Sequence, residues 1–384
     1  MTINQPAPVV NAFKSKLTYI DNVKVLLTAL VIIHHALVTY GAPGGWYYSE
    51  KTGLEAAIIP MTIVVAINQS FFMGYFFFLS ALFVPSSYNK KGAARFIADR
   101  LLRLGIPLMF YSFILSPVMN YLVYYYAGEH HITFGQFLSG YDGWISFGVM
   151  WFVVALLLFN ICYAVIRLAS KSSAIFRIDL PSNKRIILFA LSIGLISFAV
   201  RMIFPVGWVL KPLGFQLGHF PQYIALFTLG VVASSNNWLG QITYEQAVKM
   251  RRIAISIGGL GLLFIYAIKV IFNVPMDWFS GGCNPISLLY SVWEQLTGFT
   301  ICVAVTGIAK YRWDNRSATF SALSRAAFAT YIFHPLVLIA LSMLFRPLAI
   351  DPAVKALCVV PLGVAGSFAL ALLLVRIPLV NRVI

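Results

Sequence analysis

Charge is scarce in this 384-residue chain: Asp, Glu, Lys and Arg together make up 10% of it, where a soluble domain carries about 25%. Hydrophobic residues reach 60% and aromatics 15%, with a mean hydropathy of +0.84. Too little polar surface is available to cover a water-exposed fold, so soluble enzymes, disordered chains and disulfide-built secreted domains are excluded. Cysteine is also rare. The four (Cys162, Cys283, Cys302 and Cys358) are widely spaced, and neither a CxxC pair nor a Cys/His ligand spacing occurs. A disulfide framework and a zinc site are therefore not expected, and buried structural roles are. The first 18 residues contain no apolar core, so the reading includes no cleavable signal peptide. Internal repeats, low-complexity stretches and loops long enough to fold separately are missing as well.

What the chain does have is long apolar runs. A membrane span needs about 20 mostly apolar residues. Segments near 20–40, 60–85, 105–127, 148–168, 186–204, 220–235, 252–273, 285–309, 327–345 and 354–375 qualify. The expected fold is an all-α, polytopic transmembrane bundle of about ten helices. The second segment is too long for one span, and a short interfacial helix leading into a span over Ser70–Val84 is the reading adopted. Domain boundaries follow: a tail over 1–18, a membrane domain over 19–376 and a second tail over 377–384.

Charge placement supports an even count. With the N-terminus inside and ten spans, 22 of the 28 Lys and Arg fall on inner segments and six on outer ones. This asymmetry is a positive-inside signal placing both termini in the cytoplasm. The net charge of +16 is then a topology signal and an attraction to anionic lipid. Nucleic acid is not an expected partner; membrane lipid is. The location is a cell membrane, plasma or bacterial inner, crossed many times.

Ionisable groups inside spans are costly, about 2.5–3.5 kcal/mol each at a helix centre, and mark candidate sites. Lys24 and His35 in YIDNVKVLLTALVIIHHALVTYG are 11 residues apart, three turns, and share one helix face about 16 Å apart. His34 points about 100° away from that face. Lys24 as a snorkelling anchor and His35 as a hydrogen-bonded bundle residue is the alternative. Glu294 in SVWEQLTGFT lies at a depth comparable to His35, where a carboxylate could orient an imidazole base; a structural ion pair is the bland reading. His334 precedes Pro335, which loosens the helix and frees carbonyls that a histidine could satisfy. Arg100 and Arg103, at the start of the third segment, serve topology or bind phosphate.

These elements, taken in order, resemble the acyltransferase-3 family of polytopic membrane acyltransferases, near its glucan succinyltransferase branch. The family's I-D-x-[LI]-R followed after ten residues by H is similar to Ile20-Asp21-Asn22-Val23-Lys24 with His35. Its phenylalanine-rich helix ending L-S-G resembles Phe76-Phe77-Phe78-Leu79-Ser80-Ala81, and its R-x-x-R resembles Arg100-Leu101-Leu102-Arg103. Trp151-Phe152-Val153 and Ala327 to Pro335 match the W-F-[LV] and A-x-x-[IV]-Y-x-x-H-P elements. Two departures stand out. Lys24 replaces arginine, keeping the charge and losing the planar fork, and Ala81 replaces a glycine, which should narrow close backbone approach.

The resemblance implies an enzyme that moves an acyl group, acetyl or succinyl, from cytoplasmic acyl-CoA to a hydroxyl of a glycan or other acceptor at the outer face. Acyl-CoA enters as a substrate; no permanently bound cofactor and no metal is implied. His35, Glu294 and His334 are the implied catalytic residues. Lys24, Ser80, Arg100 and Arg103 are the implied donor contacts, and Trp151, Arg201 and His219 the implied acceptor contacts. A transporter or exporter of a glycan precursor is the rival reading, with the missing internal repeat counting against it. Outer aromatics such as Trp46 and Tyr47 suit sugar stacking and an interfacial belt equally. The oligomeric state is open from sequence.

Overall fold

A computed structural model describes residues 17–170, 177–378 and 380. Lys14, Lys16, Lys171 and Arg382, all counted on the inner side above, lie outside the described residues, as do 1–16 of the first tail and much of the second. Among the described residues the chain is all-helical, with ten segments long and apolar enough to cross a membrane. They are α1 (Thr18–Tyr40), α2 (Glu55–Lys91), α3 (Ala93–Tyr126), α4 (Gly148–Ala169) and α5 (Asn183–Ile203), then α6 (Leu217–Ser235), α7 (Tyr244–Ile271), α8 (Pro285–Arg312), α9 (Ala318–Phe345) and α10 (Pro352–Leu374). The expected bundle of ten is what the chain forms.

Two helix groups make the body. α1 packs against α9 and α10, and α8 packs against α5 and α7. α6 lies along the second half of α2, and α1 also touches α8, joining the groups. Large apolar side chains such as Leu27, Tyr75, Phe77 and Tyr223 fill the centre, while Leu263, Phe264, Ile271 and Leu357 remain exposed on the outside, as lipid contact requires.

The second segment differs from expectation. At 37 residues α2 would run about 55 Å if straight, well beyond a hydrocarbon core of about 30 Å. Instead it is broken: Glu55–Gln69, Phe72–Ala81 and Val84–Lys91 are separate helical pieces. The first piece is not an interfacial helix. The Asn68 side chain donates to the Leu30 carbonyl at the middle of α1 (2.9 Å), so this piece crosses the half of the bundle near Tyr40. The remainder descends beside the start of α1, where the Lys24 ammonium sits 5.0 Å over the Phe83 ring. The two together make one span, which keeps the count at ten.

A break at mid-membrane leaves backbone groups that need partners. The Ser70 hydroxyl donates to the Ile67 carbonyl (2.6 Å), and the Gln222 amide of α6 donates to the Ser70 carbonyl (2.7 Å). Gly298 of α8 makes room for that carbonyl, since a Cβ there would lie 2.0 Å from the Ser70 oxygen. Ala81 has a similar answer. A Cβ on Gly230 of α6 would sit 2.7 Å from the Ala81 Cβ, so close approach survives because the glycine stands on the facing helix.

α3 is also irregular. Two five-residue π-helical turns, Leu101–Gly105 and Tyr111–Leu115, precede Pro107 and Pro117. Each proline lacks the N–H that a regular turn would use, and wider winding accommodates the missing bond.

Gly298→Ala should therefore destabilise the protein by more than the ~1–3 kcal/mol usual for overpacking, because backbone rather than a side chain is in the way. Gly259→Ala on α7, where a Cβ would meet nothing within 4 Å, should leave stability unchanged. Thermal unfolding of the two variants in detergent provides the comparison.

Candidate active site

Polar side chains meet in the half of the bundle near Tyr40. α5, α8 and the first turn of α6 bring together Arg201, Glu294 and His219, all buried. The Arg201 guanidinium spends its whole fork. Its Nε donates to the Gly218 carbonyl (3.1 Å) and one terminal nitrogen to the Ser291 hydroxyl (3.2 Å). The other terminal nitrogen donates to His219 Nδ1 (3.2 Å) and forms a short contact with Glu294 Oε2. A guanidinium only donates, so the network assigns His219 Nδ1 as acceptor and leaves the proton on Nε2. The Gln295 amide also donates to Glu294 Oε2 (3.1 Å), and Gln222 donates to Gln295 Oε1 (2.9 Å). One hydrogen-bonded chain thus runs from the break in α2 to Arg201.

This arrangement corrects one expectation. Glu294 does not orient His35; Arg201 and Gln295 both donate to its Oε2, and its Oε1, buried without a hydrogen bond, lies 3.4 Å from His219 Nδ1. Similar depth on two helices did not mean contact, because α8 turns this carboxylate towards α5. Arg201 is likewise no wall residue. It is fully buried behind His219 and acts on the cavity only through that imidazole and Glu294.

Next to this network is a cavity of about 480 Å³. His34, His35 and Val38 of α1 form one wall, Phe72 and Gln69 of α2 another, and Trp151, His219, Tyr223, Tyr290 and Tyr331 line it together with Tyr266 and Lys269 of α7. Loop residues Pro43, Gly45, Gly207 and Gln216 also line it, so it reaches the loops at the end opposite Lys24. Trp151 stacks on Tyr223 (5.5 Å between centroids). Of the expected acceptor contacts, Trp151 and His219 are where a ligand would meet them.

His35 is held by rings. Trp46 stacks on it at 3.9 Å and His334 lies nearly parallel at 5.4 Å, and these two rings are themselves 6.0 Å apart, so the three form one cluster. His334 Nδ1 donates to the Tyr331 carbonyl (2.7 Å). A carbonyl only accepts, so this bond fixes the tautomer and leaves the His334 Nε2 lone pair, which is buried and unpartnered. The carbonyl-satisfying role expected beside Pro335 is present, together with a direct contact to His35. His35 Nδ1 is buried without a partner, as is His34 Nδ1.

Trp46 lies on the loop between α1 and α2, and that loop is tied down at several points. Its backbone bonds back to α1 (Glu50 N to the Thr39 carbonyl, 2.9 Å; Thr52 N to the Tyr40 carbonyl, 3.0 Å). Thr52 donates to Asp351 (2.8 Å), which also caps α10, and the buried Lys355 donates to Glu50 (2.6 Å). The Tyr47 hydroxyl, pushed up to about 12 by burial, bonds Tyr111 (2.6 Å). The loop is therefore a strap that presses Trp46 onto His35. Sequence reading noticed Trp46 only as an aromatic and missed Lys355 in this role; a lysine inside the apolar start of α10 was the available signal.

The expected donor contacts collect at the other end. Lys24 pairs with Asp21 (3.4 Å) and Ser80 lies half-buried on α2. Arg103 and Lys91 share Asp99, at 3.3 and 2.9 Å. Arg100 is differently placed: its guanidinium stacks over Phe96 at 5.0 Å, and its Nε is buried with no partner. The π turn at Leu101–Gly105 moves Arg103 off the row that an α-helix would have given the pair.

Removing one partner of a buried ion pair costs about 3–5 kcal/mol, since the other charge stays buried. Arg201→Met and Glu294→Met should each lose stability on that scale, and Arg201→Met/Glu294→Met should lose less than their sum. Unfolding free energies of the three variants and wild type give the coupling directly.

Among curated proteins none matches the chain significantly. The acyltransferase domain family of membrane proteins, acyltransferase-3, matches residues 17–376, a stretch that contains all ten spans, the cavity and both polar clusters. The chain belongs to the acyltransferase-3 family, and it is a multi-pass membrane acyltransferase.

Proposed function

We propose that the protein transfers an acetyl or succinyl group from cytoplasmic acyl-CoA to a hydroxyl of a glycan at the outer face. The observation that carries this reading is the position of His35: on the wall of a cavity that reaches the loops at one end of the bundle, with Arg100 and Lys24 at the other. In this orientation the Lys24 end and both termini are cytoplasmic, in keeping with the 22-to-6 partition of basic residues.

His35 is the general base. Its ring packs against Trp46 and His334, which sets its orientation before substrate arrives, and a positioned base contributes about 10²–10⁴-fold to rate. The hydroxyl proton passes to His35, the oxygen attacks the thioester carbonyl, and the thiolate leaves and recovers the proton. Trp151 on the cavity wall offers a face on which a sugar ring can stack. Arg201, itself held by Glu294, holds His219 as a hydrogen-bond donor for the acceptor. At the basic end, Arg100 has donor capacity to spare and is the main phosphate contact; Arg103 already serves Asp99. The extended pantetheine arm bridges the distance between the ends.

His35→Ala should insert normally and lose acyl transfer by about 10²–10⁴-fold; turnover near wild type would end this mechanism. The acceptor class is read by mass spectrometry of envelope glycans with and without the gene. Arg100→Ala should raise the KM for acyl-CoA, and more so at low salt. Arg103→Ala should raise it less. Equal donor KM values in both variants and wild type would return these residues to plain topology anchors.

A further inference from the structure

Three imidazoles, His34, His35 and His219, line the cavity and a fourth, His334, packs on His35 behind it; their bonding separates them into two kinds. His219 has Nδ1 engaged by Arg201, and His334 has Nδ1 engaged by the Tyr331 carbonyl. His34 and His35 have Nδ1 buried with no partner at all. A buried nitrogen left without a partner is unfavourable in a protein interior. These two sit behind the cavity surface, and the rings meet the cavity with their remaining edge.

His34 was set aside in the sequence because it points about 100° from the face shared by Lys24 and His35. The cavity is wide enough to include it. His34 lines the same wall as His35, stacks on Phe72 at 5.0 Å, and meets His35 edge-on, with centroids 5.4 Å apart and rings at 80°. It also lies close enough to His219 to interact electrostatically. Two adjacent imidazoles at right angles address one reacting centre from two directions.

We infer that His34 is a second catalytic residue: its N–H donates to the oxyanion that develops on the acyl carbonyl while His35 handles the proton. The inference rests on the proposal that His35 is the base. The step balances as follows. The acceptor hydroxyl proton moves to His35, the oxygen's electron pair forms the C–O bond, and the carbonyl pair moves onto oxygen, where His34 N–H receives it. Collapse restores the carbonyl and breaks the C–S bond, and His35 returns the proton to the departing sulfur. His34 ends the cycle unchanged. A neutral imidazole always carries one N–H, and among the described residues no hydrogen bond commits the His34 proton elsewhere.

A donor and a base tolerate different replacements. Asparagine supplies an N–H and no base; phenylalanine keeps the stack on Phe72 and supplies neither. Wild type, His34→Phe, His34→Asn and His35→Asn are compared in nanodiscs by thiol release from acetyl-CoA and succinyl-CoA, with a glucose oligosaccharide or water as acceptor. His34→Phe should lose about 10²–10³-fold in turnover, the effect of deleting one oxyanion donor, with the donor KM unchanged and the thermal midpoint preserved. His34→Asn should recover part of that loss, and His35→Asn should recover nothing. Near-wild-type turnover in folded His34→Phe, or an Asn variant no better than Phe, would overturn the role of His34 while His35 stands. Retained turnover in His35→Asn would instead remove the base itself. His34→Leu serves the same comparison if Phe does not insert.

Discussion

The contact between Arg201 and Glu294 is the constraint on which the rest of this site depends. An ion pair in the apolar interior is tolerable only when nearly every remaining donor and acceptor is used, and this one recruits its partners from three directions. Arg201 takes Gly218, Ser291 and His219 in addition to Glu294. Satisfying one guanidinium thereby fixes α5 against α8, sets the turn that begins α6 and orients His219. Through Gln295 and Gln222 the same requirement reaches the Ser70 carbonyl, which is free only because α2 breaks there. A broken helix and a buried charge pair, each expensive alone, help to satisfy each other.

That break also shapes the cavity. If α2 ran straight through Ser70, its two halves could not both lie as they do, one beside α1 and the other beside α6. With the bend, Gln69 and Phe72 face the space into which α1 turns His34 and His35. The strap then closes one side. Glu50 and Thr52 anchor it to Lys355 and Asp351 near the start of α10, and the result is a tryptophan at 3.9 Å from the His35 ring. Rigidity around the proposed base comes from ring stacking and from charges placed well away from it. Such a design keeps the reacting nitrogen free of permanent partners.

The two ends of the bundle divide the chemistry in the proposed reaction. Cations at the Lys24 end rest on aromatic rings (Lys24 on Phe83, Arg100 on Phe96, Arg167 on Tyr88), which stabilises charge near the membrane surface without neutralising it. At the opposite end the cavity wall is imidazole, indole and phenol, suited to hydroxyl-bearing ligands. Between them lies the apolar core around Leu27, Tyr75 and Phe77.

The sequence by itself determined the membrane class, the ten spans and the family, because apolar run length, charge asymmetry and motif order are properties of the chain and need no packing. It also picked out His35 and Glu294, since an ionisable group in an apolar run is conspicuous wherever it ends up, while Trp151, Arg201 and His219 came only with the family resemblance. Only the tertiary structure decided which of these meet. Helix periodicity gives a residue's angle about its own axis and not which neighbour lies there, so Glu294 was assigned to His35 when α5 and the α6 turn were its partners. For the same reason the angle of about 100° between His34 and His35 does not say whether one cavity takes in both, as it does here. The break at Ser70 was read as a boundary between two helices, because a sequence shows that a run is too long and not how its loose carbonyl is satisfied: that answer came from Gln222 and Gly298, 152 and 228 residues further along the chain.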